Sequence, residues 1–165
     1  MADTGWKSPT TATGQWTNNN NALSEDGNFA TLEAVGSSGI EVIPWTDETT
    51  SVVGEFLNNW GESNAFIEIF GFDWEHEPPL ELDQLDSLYI ELTEWETMSM
   101  LRVSGFDFSG VPSGSTINGL DIRVKGYKSG DIFYVDVVQA KVYYTDSTTP
   151  IVGKKYPLPP FRRSV

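Results

Sequence analysis

The feature that most restricts the fold of this chain is a set of short segments in which apolar and polar residues alternate. Alternation with a period of two places the apolar side chains on one face of a β-strand. Clusters of Gly, Pro, Asn and Ser separate these segments, as expected for turns. The predicted strands cover residues 39–44, 65–70, 87–93, 99–103, 120–125 and 138–144. This spacing predicts an all-β fold, an antiparallel β-sandwich with jelly-roll-like connections.

The same alternation predicts which side chains are buried. The residues expected to face the core are Leu88, Ile90, Leu92, Met100, Leu120, Ile122, Val124, Val138, Ala140, Val142 and Tyr144, with Leu101 and Val103 as further candidates beside Met100. Three glutamates, Glu91, Glu94 and Glu96, are expected on a solvated face or at an interface. Gly119 is expected at a bulge or a close backbone approach, because it interrupts a predicted strand.

Two regions depart from simple alternation. Residues 1–31 are rich in Thr, Asn, Gly and Ser, and we interpret them as ordered loop and edge strand held by Trp6 and Trp16. A flexible linker is the alternative for the asparagine run within this part. A short helix is the alternative over residues 80–88, where leucines recur at helical spacing.

Charge is distributed unevenly along the chain. There are 24 acidic and 10 basic residues, which gives a formal net charge of −14. No Lys or Arg occurs between Lys7 and Arg102, whereas this stretch contains 18 Asp or Glu residues. Such a body repels nucleic acid phosphates and anionic lipids. We therefore expect no specific nucleic acid partner and no membrane partner.

Other compositional features point the same way. The chain has no cysteine, which excludes disulfides and thiolate zinc sites. Its N-terminus lacks the basic start and apolar run of a signal peptide. No window approaches the roughly 18 consecutive apolar residues of a membrane-spanning helix. We therefore expect neither secretion nor membrane insertion.

The last residues form a basic, proline-rich segment, and we predict a domain over 1–146 followed by an extended arm over 147–165. No acidic residue follows Asp146, and three prolines favour an extended polyproline conformation that loses little entropy on docking. The alternative is a disordered terminus. The predicted partner-binding residues of the arm are Lys154, Lys155, Tyr156, Leu158, Phe161, Arg162 and Arg163.

Catalytic chemistry has little support in the sequence. The single histidine, His76, is more simply a loop residue than a general base, and chance alone gives many carboxylate pairs among 24 acids. The acidic stretch 73–86 offers oxygen ligands for Ca²⁺ but lacks EF-hand spacing, so a solvated loop is the simpler interpretation. We predict no catalytic residue, no metal and no cofactor. Trp60 and Trp74 lie in predicted loops, where they could stack on sugars, although packing explains tryptophans equally well.

One motif resembles a known family. Residues 106–126 contain two phenylalanines followed by Pro-x-Gly-x-Thr-Ile-x-Gly-Leu-x-Ile-x-Val. This pattern resembles β-sandwich, jelly-roll-like modules of tailed-bacteriophage virion structural proteins, and residues 138–144 resemble their closing strand. Residues 16–31 resemble their opening, with Asn19 in place of a frequent proline and Phe29 in place of a frequent tyrosine. The resemblance covers both ends of the predicted domain and little of its middle.

The resemblance implies a non-enzymatic virion protein, made in the host cytoplasm and assembled with other virion proteins of the capsid or tail. The expected function is that of a capsid decoration or cement protein that forms a homo-oligomer on the particle surface. A trimer is suggested by analogy with decoration proteins. The alternative is a tail or fibre component that binds carbohydrate on the host surface.

Overall fold

The described part of the protein is predominantly β, with antiparallel strands and two short 3₁₀ helices. The computed structural model describes residues 2–33, 39–46, 65–69 and 80–146. The strands in these ranges are β1 (Ala2–Asp3), β2 (Thr11–Gly14), β3 (Ala30–Glu33), β4 (Ile40–Trp45), β5 (Ala65–Ile69), β6 (Tyr89–Glu94), β7 (Met100–Ser104), β8 (Thr116–Ser129) and β9 (Ile132–Thr145). Two 3₁₀ helices, Asn19–Ala22 and Leu82–Ser87, complete the described elements.

The strands form two sheets. In sheet I the order is β1–β9–β8–β5, and β3 also pairs with β9. In sheet II the order is β2–β7–β6–β4. Both sheets contribute apolar side chains to one buried cluster, with the sheet II residues Val42, Leu92 and Leu101 joining Ile122 and Ala140 of sheet I. The predicted all-β antiparallel sandwich is therefore confirmed, while the jelly-roll connections and the arm over 147–165 stay predictions.

The long hairpin of β8 and β9 is the backbone of sheet I. Its turn contains Gly130 at a φ of +58°, as the predicted turn at this position requires. The register of the hairpin shifts twice. The first shift lies between Ile117 and Gly119. The second lies at Asp136, which has no opposite residue because Lys125 pairs with Val137 and Gly126 pairs with Val135. The predicted bulge at Gly119 is confirmed, and the bulge at Asp136 was not predicted.

The bulge at Asp136 reverses the alternation of β9. Before it, Phe133 and Val135 lie in the core, and after it the core residues are Val138, Ala140 and Val142. A single extra residue moves every following side chain of the strand to the opposite face of the sheet. The alternation that predicted the second half of β9 therefore does not extend into its first half.

The N-terminal residues close the free edge of β9. At one end β1 pairs with β9, and at the other end β3 does so. Between them, Lys7 bridges to Ala140 and Leu23 bridges to Val137. Trp16, only 3% exposed, anchors the intervening chain in the core. The predicted combination of ordered loop and edge strand is confirmed, and the edge of a long strand is covered against unwanted pairing.

The short helix over 80–88 is present as the 3₁₀ helix Leu82–Ser87. The backbone amide of Glu81 donates to Oε1 of Gln84 at 2.7 Å, which ties the start of the helix to its first turn. Leu85 and Leu88 are buried, and Leu82 packs against the core from its rim. The helix thus places apolar side chains in the core just before β6 begins.

The predicted core is confirmed in detail, with one correction. Leu88, Ile90, Leu92, Leu120, Ile122, Val124, Val138, Ala140 and Val142 are all buried, and Tyr144 packs against them. Of the three candidates on β7, Leu101 and Val103 are buried as predicted, and Met100 is wrong as a core residue. Alternation therefore places Met100 on the outer face, where it is half-buried.

Candidate partner-binding surface

The residues predicted to bind partners lie outside the part of the chain that the structure describes. This holds for the seven arm residues Lys154, Lys155, Tyr156, Leu158, Phe161, Arg162 and Arg163. It holds also for Trp60, Trp74 and His76. These predictions stay predictions, and the candidate site described next rests on other residues.

The outer face of sheet I carries an unusual mixture of rings and cations. Because Leu120, Ile122 and Val124 point into the core, the residues between them on β8 lie on the outer face. The same parity applies to the partners of these residues on β9. We call the resulting surface the aromatic–basic face; it consists of Trp6, Phe29, Arg123, Lys125, Tyr127, Tyr134, Lys141 and Tyr143, with the buried Asp121 opposite Lys141.

At one end of this face, two cations lie against Trp6. Cζ of Arg123 is 4.4 Å from the centre of the Trp6 ring, and Nζ of Lys141 is 4.6 Å from it. Arg123 Nε also donates to Oε1 of Gln139 at 2.8 Å. Contacts of this kind contribute about 0.5–2 kcal/mol each, depending on exposure. The cations are therefore held in defined positions on a half-buried surface.

At the other end, three aromatic rings pack together. Tyr127 and Tyr134 are cross-strand neighbours whose ring centres lie 4.5 Å apart at 7°. Phe29 meets both rings edge-on, at 5.3 Å from Tyr127 and 5.9 Å from Tyr134. Edge-to-face and offset-stacked pairs each add stability beyond simple burial. This cluster joins the N-terminal segment to the middle of the long hairpin.

Between the two ends, Lys125 and the buried Asp136 form a charged junction. Asp136 is 1% exposed, and its Oδ1 accepts hydrogen bonds from the backbone amides of Asp26 at 3.1 Å and Gly27 at 3.2 Å. Nζ of Lys125 lies 3.9 Å from Oδ2 of Asp136 and 2.6 Å from Oε2 of Glu25. A buried carboxylate is stable only with such partners. The bulge residue of β9 therefore fixes a loop that lies 110 residues earlier in the sequence.

The loop that Asp136 binds is also ordered from within. Oδ1 of Asp26 accepts a hydrogen bond from the backbone amide of Asn28 at 3.0 Å, and this bond holds the pKa of the Asp26 carboxyl below its usual range. Ser24 Oγ donates to Oδ2 of the same side chain. Gly27 adopts a φ of +81°, which favours glycine. The loop therefore presents its two amides to Asp136 in a fixed geometry.

The outer face of sheet II is organised around one ion pair. Arg102 donates from Nε and Nη2 to Oε2 of Glu91 at 2.8 Å and 2.6 Å, between directly opposed positions of β6 and β7. Its guanidinium also lies 4.2 Å from the Tyr89 ring centre, and Tyr89 is parallel to Trp45 at 6.3 Å. Glu91 is 7% exposed, so the prediction of a solvated glutamate is wrong at this position. It is held in the sheet by its pair with Arg102.

Glu94 is a second correction. Expected on a solvated face or at an interface, it is instead completely buried. It accepts hydrogen bonds from the amides of Glu96 at 3.0 Å and Thr97 at 2.8 Å, and from Thr97 Oγ at 2.6 Å. The carboxylate thereby shapes the turn between β6 and β7, where Trp95 is 36% and Met98 is 73% exposed. Glu96 itself is exposed, as expected.

Exposed carboxylates occur on both sides of the molecule: Asp3, Glu25, Asp26, Glu33 and Asp131 lie in or beside sheet I, and others lie on sheet II and the 3₁₀ helix before it. We call acidic edge the exposed and half-buried carboxylates Glu41, Glu81, Asp83, Asp86 and Glu96. Arg102 is the one cation among the described residues of these elements. Across the described ranges, no group of three or more His, Cys, Asp or Glu is arranged to hold a metal ion. No helix in the same ranges is long and apolar enough to cross a membrane.

One cavity lies beside the N-terminal segment. It has a volume of about 180 Å³, and its lining includes Asp3, Lys7, Asp107 and Tyr144. Hydrogen bonds from the hydroxyl and amide of Ser109, together with the nearby Lys7, hold the pKa of the Asp107 carboxyl below its usual range. The volume is below the roughly 300 Å³ at which small-molecule pockets begin. A second cavity, of about 370 Å³, exceeds this value; its lining includes Asp86, Tyr89, Arg102 and Ser104.

Sequence reasoning did not identify the aromatic–basic face. The available signal was the outward half of each alternating strand, where Arg123 and Lys125 alternate with the buried residues of β8. The contact between Trp6 and these cations could not be predicted, because it depends on how the N-terminal segment pairs along β9. That placement depends on pairings between residues more than a hundred positions apart.

Comparisons with protein-family models, curated proteins and solved structures gave no match to this chain. The functional argument therefore depends on the geometry of the described residues and on the resemblance of the two terminal segments. Both concern the same part of the molecule, the N-terminal segment and the hairpin of β8 and β9.

Proposed function

We propose that the chain is a non-enzymatic structural protein of a tailed-bacteriophage particle, a capsid decoration or cement protein that oligomerises on the particle surface. The observation that best supports this is that the segments resembling phage virion modules are in contact in the fold. Glu25 of the first segment pairs with Lys125 of residues 106–126 at 2.6 Å, and the amides of Asp26 and Gly27 are bonded to Asp136, in the part of the hairpin that connects residues 106–126 to residues 138–144. The two resembling segments thus form one scaffold, as expected if they came from a common module.

The use of the buried carboxylates also supports a structural role. Glu94 organises a turn, Asp136 fixes a distant loop, and Glu91 pairs with Arg102 across two strands. Each of these groups holds backbone or side-chain geometry. A protein that must stay folded on an exposed particle surface benefits from such anchoring, because an ordered interface loses less entropy on binding.

The test of this proposal is occupancy on particles. Purified chain is added to particles of the phage that encodes it, prepared without the gene, and bound protein is measured by sedimentation and cryo-EM. We expect saturable binding at regular surface positions of the capsid. Density at the tail, or no density at all, would rule out the decoration role.

The arm enters this test as a separate question. A version that ends at Asp146 lacks every predicted arm contact and should show a smaller oligomer or lower particle occupancy than the full chain. Equal oligomeric state and equal occupancy of the two versions would remove the arm from the proposal. The β-sandwich itself should fold in both versions, since both contain every described strand through β9, which ends at Thr145.

A second candidate function is a tail or fibre component that binds host carbohydrate. Its support among the described residues is Trp95, an exposed tryptophan in a turn that Glu94 makes rigid. Flat aromatic rings at loop tips suit stacking on sugars. A glycan array probed with the wild type and with Trp95→Ala decides this, together with Trp60→Ala and Trp74→Ala. No signal alongside strong capsid binding would remove the carbohydrate function.

A further inference from the structure

The turn between β6 and β7 carries the exposed large apolar side chains of the described structure. This turn consists of residues 95–99, since β6 ends at Glu94 and β7 begins at Met100. Among the described residues, the large apolar side chains that are exposed are Trp95, at 36%, and Met98, at 73%. We call this pair the apolar tip. Exposure alone does not indicate a binding site, because scattered apolar residues are normal on protein surfaces.

The backbone at Met98 gives a second, independent observation. Its φ is +57°, in the left-handed region that glycine and asparagine adopt most readily. Asn18 is the other described residue, glycines aside, with a positive φ, and asparagine tolerates this conformation. A glycine at position 98 would adopt the same backbone without strain. The chain thus retains a long apolar side chain where it reduces stability, and backbone strain of this kind is concentrated at functional sites.

A buried charge holds the strained turn in place. The completely buried carboxylate of Glu94 accepts hydrogen bonds from the amides of Glu96 and Thr97. The amide of Glu94 donates to the carbonyl of Ser99 at 2.9 Å, and the amide of Ser99 donates to Thr97 Oγ1 at 3.2 Å. The turn is therefore hydrogen-bonded from its first residue to its last. An apolar tip presented in this way has little conformational entropy left to lose on binding.

We propose that the apolar tip inserts into an apolar pocket of a capsid protein of the particle, and that the rim of this pocket is basic. Aromatic residues and Met are enriched at protein contacts, and Met adapts its shape to irregular pockets. The basic rim follows from Glu96, an exposed carboxylate between the two apolar residues, in a turn without Lys or Arg. This inference rests on the proposed decoration function, and it adds the surface that contacts the particle.

The chemistry of the tip disfavours other occupants. The two cavities described above are lined partly by charged side chains, Lys7 and Asp107 in one and Asp86 and Arg102 in the other, so neither gives a second copy an apolar pocket for the tip. A lipid surface would bury only two apolar side chains, and the net charge of −14 repels anionic headgroups. A sugar would stack on the flat indole ring but not on the flexible thioether of Met98.

Met98→Gly is the decisive variant, because it should lower particle affinity without lowering stability. Glycine removes the apolar side chain and relieves the left-handed strain. Full-length wild type and variant are titrated onto particles prepared without the gene, and bound protein is measured by sedimentation. We expect the affinity to fall at least about tenfold. The melting temperature of the free variant should stay the same or rise, so the lost affinity would not reflect unfolding.

Two further variants test the rest of the contact in the same assay. Trp95→Ala removes the other half of the apolar tip and should also weaken binding at least about tenfold. Glu96→Lys places a cation against the proposed basic rim. Its effect should be larger at about 50 mM than at about 500 mM salt, because salt screens exposed charges.

Matched controls make the same kinds of change outside the turn. Asn18→Gly relieves the other described positive φ of a residue that is not glycine, also at an exposed position. Glu33→Lys reverses an exposed carboxylate on β3 of sheet I. Both controls should bind particles like the wild type. If Asn18→Gly weakened binding as much as Met98→Gly, or Glu33→Lys as much as Glu96→Lys, the proposal would be overturned.

Other results would also decide against it. A Met98→Gly variant that binds particles as tightly as the wild type removes the apolar tip from the contact and leaves the decoration function intact, whereas a wild type that does not bind removes both. With particle affinity unchanged, self-association or binding to phosphatidylcholine vesicles that Met98→Gly abolishes assigns the tip to a second copy or to lipid. A glycan-array signal that is lost in Trp95→Ala and kept in Met98→Gly assigns the turn to carbohydrate.

Discussion

The most deeply buried carboxylates of the two sheets, Asp136 and Glu94, have opposite uses. In sheet I, Asp136 accepts hydrogen bonds from amides 109 and 110 residues away, which fastens the N-terminal segment to the last strand. In sheet II, Glu94 accepts hydrogen bonds from residues two and three positions further along. The Glu94 carboxylate thus stabilises a local turn, whereas the Asp136 carboxylate stabilises a junction between distant parts of the chain. A buried acid therefore says little about its role until its partners are known.

The largest expected effect comes from Asp136→Ala. The substitution leaves two backbone amides without their acceptor and removes a partner of Lys125, so we expect a loss of about 3 kcal/mol in the free energy of unfolding. Urea denaturation measures this loss. Hydrogen exchange should show faster exchange at Asp26 and Gly27, far from the substituted residue in sequence.

Asp136→Asn is the matched control, because its amide oxygen can still accept both hydrogen bonds while its charge is lost. It should retain more stability than the alanine variant. Equal losses for both variants would mean that the charge near Lys125, and not the bonding of the loop, is what matters at this site.

A smaller loss is expected from Glu94→Ala, about 1.5 kcal/mol, because water can reach part of the turn and replace the lost acceptor. Faster hydrogen exchange should stay within residues 95–99. If exchange instead increased across both sheets, the contrast between a local and a long-range carboxylate would be wrong.

The aromatic cluster gives a third measure of the same contrast. Phe29→Leu keeps an apolar side chain but removes two edge-on ring contacts across sheet I, at an expected loss of about 1 kcal/mol. Tyr89→Leu removes the ring that Arg102 and Trp45 contact within sheet II. Only Phe29→Leu should loosen the N-terminal segment, as limited proteolysis would show.

The smallest expected effect is a pH dependence. The pKa of Asp26 and that of Asp107 are lowered by hydrogen bonds from neighbouring residues, relative to an ordinary value of 3.8. Carboxyls with depressed pKa values stabilise the folded state fully above their ordinary pKa, and this contribution is lost as pH falls through the folded-state value. Stability should therefore fall at acidic pH less steeply in Asp26→Asn than in the wild type. Unfolding curves between about pH 2 and 6 measure this.

Much of the fold could be predicted from the sequence because alternation reports directly on burial. Leu120, Ile122 and Val124 are buried as predicted, and the predicted turns around Gly114 and Gly130 are present. The first half of β9 was missed, since the bulge at Asp136 puts it out of phase with the predicted half. A bulge is a property of strand pairing, which a single strand's pattern does not contain.

The candidate site was less predictable than the fold. Glutamate is usually a surface residue, and the burial of Glu94 depends on the turn that folds back over it. The position of Trp6 over Arg123 likewise depends on long-range pairing of the N-terminal segment. Side chains whose role is set by distant partners give no local signal, which is why chemistry was harder to predict than architecture.

The pairing of β9 with both β1 and β3 has a consequence for how the protein is made. During synthesis the N-terminal strands emerge first, yet their hydrogen-bonding partner is the last described strand to leave the ribosome. Sheet I can therefore close only after about residue 145 has been synthesised, whereas β6 and β7 can pair as neighbours earlier. Folding dominated by such distant pairings is slow, and it exposes unpaired strands in the meantime. Net negative charge on the incomplete chain opposes contact between copies during that interval.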